Sequence, residues 1–172
     1  MPTTYNRHMA TLLRLLLVAA IAAQTPSATP APQAGPQIEY KNKQYKFCFS
    51  LPASWKSYSI VTDQWRGTAI NSPQQGQVIA RGPIISIRHP LWTAQNPRQD
   101  IPIMVFTLRQ WKSLQKESFT VSAAPIGPRE LGRNHDYVFA LPPRFDFTAF
   151  TGVEEVDQIV NGAPLKTPCK VK

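Results

Sequence analysis

The side chains through which this chain could do chemistry are few: Cys48 and Cys169, the histidines His89 and His135, and an acidic group at Glu154, Glu155 and Asp157. Metal binding by the two cysteines is not supported, because zinc takes three or four ligands and no histidine lies at ligand spacing from either. Nucleophilic catalysis needs a serine or cysteine beside a base that a third group orients, and no G-x-S-x-G turn occurs. His89 falls at the end of an expected strand. His135 sits in the turn-like run NHD, where a polar residue is expected anyway. Glu154, Glu155 and Asp157 are as close in sequence as a glycosidase carboxylate pair, yet they fall in the first turns of an expected helix, where acids favour the positive end of the helix dipole. No glycine-rich loop has phosphate-binding spacing. The reading therefore assigns no catalytic residue, no metal and no cofactor.

What the cysteines do depends on where the chain goes. Arg7 and Arg14 precede the apolar run LLLVAAIAA at residues 15–23, which ends in small residues. Residues 1–22 read as a signal peptide. The run is shorter than the roughly 20 residues of a membrane span, so no transmembrane segment is expected after cleavage, and no cysteine nearby offers a lipid attachment point. Met9 is an alternative start, since residues 9–23 already form a complete leader. Residues 23–37 are rich in proline and alanine and read as a linker, leaving one globular domain at 38–172. Export, to the periplasm or beyond, would carry both cysteines into an oxidising compartment. A Cys48–Cys169 disulfide is the expected pairing, with two separate buried thiols as the alternative. The bond would close a loop worth about 5 kcal/mol at most by chain entropy.

The elements follow from periodicity. Residues 39–50 read as a hairpin turning at Asn42 and Lys43, with Tyr45, Phe47, Phe49 and Leu51 on one face and Lys46, Cys48 and Ser50 on the other. Pro52 ends the second strand and Trp55 folds back over it. Further strands are expected at 58–65, 77–80, 84–88, 103–107, 119–122, 130–133 and 137–141. Residues 108–117, LRQWKSLQKE, place Leu108, Trp111 and Leu114 on one helical face behind Thr107 and Gln110 at capping-box spacing. Residues 151–162 repeat the signal, with Thr151 and Glu154 as the box and Gly162 as the stop. Antiparallel strands with two helices make an α+β fold.

Residues 44–55, QYKFCFSLPASW, resemble the YGFSFSLPxxW-type opening of small exported domains with the PsbP-like fold, a family named after an extrinsic photosystem II subunit. The resemblance implies an antiparallel sheet flanked by helices and, from its better understood members, action by binding rather than catalysis. Here Lys46 stands in place of the usual glycine, and Cys48 in place of a small polar residue.

The chain carries +9, which falls to +7 when Arg7 and Arg14 leave with the leader. A polyanionic partner fits that balance, and so do solubility and edge protection. The lysines gather at residues 41–46 and 166–172, and a Cys48–Cys169 bond would join the two groups into one basic patch. A nucleic-acid site would normally interleave aromatics with its charges; the tail group has none, and the first group has Tyr45 alone.

Residues 88–102, RHPLWTAQNPRQDIP, form an irregular segment too long for a plain connection. It carries Arg88, His89, Trp92 and Arg98, a set suited to a partner-binding surface with Trp92 as anchor; the alternative is that Trp92 caps the core. Trp65 and Arg66 in DQWRGT pose the same choice. The expectation is an exported non-catalytic binding or accessory module for an unknown protein or a polyanionic ligand. A carbohydrate ligand would need Trp65 or Trp92 flat and exposed. A small exported hydrolase is the alternative, and its mark would be a carboxylate and a nucleophile within hydrogen-bond reach of His89 or His135.

Overall fold

The computed structural model describes residues 35–71, 73–123, 126–143 and 150–169. The leader, most of the linker and Lys170 and Lys172 of the tail lie outside the described residues. Strands β1 (Gln37–Asn42) and β2 (Phe47–Pro52) form the expected hairpin, in register from Gln37 opposite Pro52 to Asn42 opposite Phe47. Its turn is longer than expected. It spans residues 43–46, with the Asn42 side chain accepting from the Tyr45 amide at 2.8 Å and Lys46 in the left-handed region at φ 57°. Tyr45 therefore belongs to the turn and packs edge-on against Tyr137.

A two-residue strand that the sequence pattern did not signal, β9 (Leu165–Lys166), adds to the other edge of β2 and sets Cys48 opposite Lys166. The Cys48–Cys169 disulfide lies beside this pairing, with the two Cα atoms 5.1 Å apart. Phe47, Phe49 and Leu51 face the core as the alternation requires. Cys48 is buried as well, on the opposite face.

The second sheet has six strands in the order β6-β3-β4-β5-β8-β7, every neighbour antiparallel. The strands are β3 (Ser59–Ala69), β4 (Val78–Arg88), β5 (Ile101–Thr107), β6 (Phe119–Thr120), β7 (Arg129–Arg133) and β8 (Tyr137–Leu141). One core lies between the sheets: Ile85, Ile87, Ile101, Ile103, Val105, Phe139 and Leu141 meet Phe47, Phe49, Leu51 and Trp55, with Val156, Ile159 and Val160 of the second helix closing the layer. The opposite face of the large sheet packs Met104, Phe106, Val138 and Ala140 beneath Trp111 of the first helix. Both helices lie against sheet, and the fold is α+β.

Helix α1 (Leu108–Gln115) carries the expected capping box: Thr107 Oγ1 accepts from the Gln110 amide, and Gln110 Oε1 accepts from the Thr107 amide. Helix α2 (Val153–Asn161) does not. Its N-cap is Gly152 at φ 89°, with no side-chain cap, so Thr151 stands one residue before the cap position, where its carbonyl accepts from the Gln99 amide at 3.0 Å.

Strand β4 joins the two strands expected at 77–80 and 84–88 and runs through Arg81, Gly82 and Pro83, residues that read as a break. Gly82 is required by packing, since a Cβ there would stand 2.6 Å from the Trp65 ring. Pro83 pairs with Gln64 of β3, while the ladder to β5 begins only at Ile84, so the missing amide hydrogen falls at the margin of the pairing.

Candidate functional site

The loop joining β4 to β5 brings the sequence candidates together but turns them in different directions. Strand alternation sends Arg88 to one side and the next residue, His89, to the other. Arg88 is clamped by Asp100 at the far end of the loop, its Nε and Nη2 reaching one carboxylate oxygen at 3.1 and 2.9 Å. Its guanidinium carbon lies 3.9 Å over the Trp92 ring, a cation–π contact. Trp92 is partly buried in this stack, and Leu91 beside it is 65% exposed.

His89 is 5% exposed and packs edge-on against the buried ring of Trp55. It therefore cannot touch a partner, which corrects its place in the expected binding surface. Its Nδ1 accepts from the Leu91 amide at 3.0 Å, so the neutral ring carries its proton on Nε2, which faces Glu155 Oε2 at 3.9 Å. Burial, and then the positive charge of Arg98, hold the His89 pKa below its ordinary value, against a smaller opposing pull from Glu155.

Arg98 also turns inward. Its Nη2 lies 3.5 Å from Glu155 Oε2, and its Nε is buried without a partner. Gly152 sits against this guanidinium, where a Cβ would come within 3.3 Å of Nη2. The other Glu155 oxygen accepts from Trp55 Nε1 at 3.1 Å and from Ser54 Oγ at 3.2 Å. One carboxylate thus ties together the turn after β2, the loop and α2. Sequence reasoning assigned Glu155 to the helix dipole and missed this role. Its partners come from segments far apart in the chain, so no local spacing signals them.

Ser54, His89 and Glu155 are the nucleophile, base and acid types that a hydrolase would use, but their order is wrong for a relay. The serine hydroxyl donates to the carboxylate, and the only lone pair on the neutral imidazole is occupied by a backbone amide. The arrangement fixes the loop. Among the described residues no group of three or more His, Cys, Asp or Glu side chains is arranged to hold a metal ion.

Trp65 belongs to the interior, a second correction. It is 3% exposed, stacks on Phe106 at 4.4 Å between ring centroids, and donates its Nε1 hydrogen to the Val105 carbonyl at 2.9 Å. Alternation then puts Arg66 outside, where it is exposed. A sugar-stacking role for Trp65 is excluded by its burial.

His135 lies in a separate depression of about 480 Å³, lined by Lys46, Arg133, Asn134, Asp136, Thr167 and Pro168. The His135 ring hydrogen-bonds Asp136 at 2.9 Å and, with Lys46 at 3.5 Å from the same carboxylate, holds that carboxyl below its ordinary value. Arg133 is paired with Glu130. The β2–β9 pairing brings Lys46 and Lys166 to one side of the domain, yet the cations lining the depression each face a carboxylate.

Among the described residues no helix is long and apolar enough to cross a membrane. Comparison with protein-family models, with curated proteins and with solved structures finds no match to this chain.

Proposed function

We propose that the protein is an exported, non-catalytic binding module whose partner surface is the outer side of the β4–β5 loop, with Trp92 and Leu91 as its apolar contacts and Arg88 as its charge. The observation that carries this reading is the construction of the loop. Asp100 clamps Arg88, Glu155 holds Arg98, and His89 and Gln99 are buried, so a long segment is fixed in place while Leu91 and the Arg88–Trp92 stack remain at the surface. Rigid display of an aromatic and an arginine lowers the entropy cost of binding. A disulfide is what export would require of paired cysteines.

The same reading keeps the PsbP-like resemblance as a proposal. Two features support it: an antiparallel sheet flanked by helices, and the left-handed backbone of Lys46, which stands where that opening has glycine, the residue that adopts this conformation freely. The hydrolase alternative draws on Ser54, His89 and Glu155 alone and lacks a free base.

Partner capture from the exported fraction, run in parallel with wild type, Leu91→Ala and Trp92→Ala, tests the proposal. The expected outcome is a partner retained by wild type and weakened by about 2 kcal/mol in Trp92→Ala. Equal retention by all three proteins would place the surface elsewhere.

A further inference from the structure

Arg66 and Arg81 stand directly opposite one another in the β3–β4 ladder and are both exposed. Residues so paired share one face, with Cβ atoms about 5 Å apart, and like charges in this position repel. Among the described residues four other arginines have side-chain partners, three of them carboxylates, while Arg109 at the start of α1 has none. Arg88 meets Asp100, Arg98 meets Glu155, Arg133 meets Glu130, and Arg129 donates to Asn161. Among the described residues neither Arg66 nor Arg81 has an ion pair or a side-chain hydrogen bond.

The pair rests on a fixed floor. Behind it Trp65 fills the space left by Gly82, and Phe119 the space left by Gly67, and Trp65 is pinned to β5 through the Val105 carbonyl. The Gln110 side chain of α1 donates to the Arg81 carbonyl at 2.9 Å, which brings the start of α1, with Arg109 and no acid in its first turn, close to the same strand. Along β3 the stripe continues through Gln64 and Thr62, both exposed. The surface thus offers two guanidinium forks, an amide and a hydroxyl on one face of a strand pair.

We propose that this face binds a linear anionic polysaccharide, its carboxylate or sulfate groups received by Arg66 and Arg81 and its hydroxyls by Gln64 and Thr62. Charge complementarity selects the anion, because a bound oxyanion supplies the counter-charge that the fold withholds and matches the planar forks. The absence of an exposed aromatic from this stripe selects against bases, which are held by stacking, and against a neutral sugar, which would need a flat exposed tryptophan; here the anionic groups, not the sugar rings, carry the contact. The site does not include the Trp92 loop, so either proposal stands without the other.

The test is binding of the leaderless, disulfide-bonded protein to dextran sulfate and to polygalacturonate at physiological ionic strength, with neutral dextran and a thymidine 20-mer as comparators. Arg66→Gln/Arg81→Gln should lose at least tenfold in affinity for the two acidic polysaccharides. An equal loss of charge at Lys43→Gln/Lys56→Gln should cost less than twofold, and Trp92→Ala should cost nothing. The arginine variant should also unfold at a slightly higher denaturant midpoint, since repulsion is removed, which excludes misfolding as the cause of lost binding. Three results would overturn the proposal: no preference for the acidic polysaccharides over dextran, equal losses in the two charge variants, or oligonucleotide binding as tight and as sensitive to the arginine pair.

Discussion

Trp65 with Arg66 and Trp92 with Arg88 are the same two residue types set close together, and they end in opposite arrangements. On β3 the pleat separates neighbours, so Trp65 enters the core and Arg66 faces solvent. In the β4–β5 loop the chain turns back at Pro90 and Leu91, and Trp92 returns to lie against the arginine that ended the strand. The first pair shows a sheet assigning roles by alternation. The second shows a loop keeping an aromatic at the surface by giving it a cation to lie on. A tryptophan–arginine neighbour pair is therefore no signature of a binding surface until the backbone between them is known.

The sharpest way to break the comparison is truncation of the inner member. Trp65→Ala should cost about 3 to 5 kcal/mol of folding stability, measured by urea unfolding, because it empties the space between Phe106 and Phe119 and leaves the Val105 carbonyl without its partner. A loss below about 1 kcal/mol would mean that Trp65 is not the centre of that core.

Glu155→Ala comes next, with an expected loss of about 2 kcal/mol, since it releases Trp55 Nε1, Ser54 and Arg98 together. It should also weaken partner capture although Trp92 is untouched, whereas Asp157→Ala on the same helix should do neither. That contrast separates a role in holding the loop from a general helix effect.

A smaller effect concerns pH. The pKa of His89 is lowered in the folded state, so the unfolded chain binds the proton first. Stability from this residue is intact above the unfolded value of about 6.5 and is lost as pH falls below it. Urea midpoints taken between pH 7.5 and pH 5 should decline in wild type and decline less in His89→Gln. Equal slopes would remove His89 as the source.

Much of the fold was legible in the sequence because it is written locally. The Phe47, Phe49 and Leu51 alternation, the Thr107–Gln110 box and the 137–141 strand are short-range patterns, and all three are present. The disulfide expectation is also met, and its closure is helped by β9, a strand too short to leave a period. What failed has a common cause. Gly82 and Pro83 read as a break, although Gly82 serves a ring reaching across from β3. Thr151 read as a cap, but its backbone is engaged by the loop. His89 and Arg98 read as surface groups because the carboxylate that draws Arg98 inward lies more than fifty residues away. Each failure is a long-range contact overriding a local preference; the Glu155 contacts of the candidate site are of this kind, whereas the Arg88–Asp100 clamp and the Arg88–Trp92 stack lie within one loop.

Trp92 is where the account is most exposed, and the urea midpoint of Trp92→Ala tests it most directly. A tryptophan held at the surface over a clamped arginine loses one cation–π contact and part of its buried area, so the variant should fall by no more than about 1 kcal/mol with an unchanged denaturant slope. A loss of about 3 to 5 kcal/mol at constant slope would show that Trp92 is a core residue like Trp65, and the binding surface assigned to this loop would then be wrong.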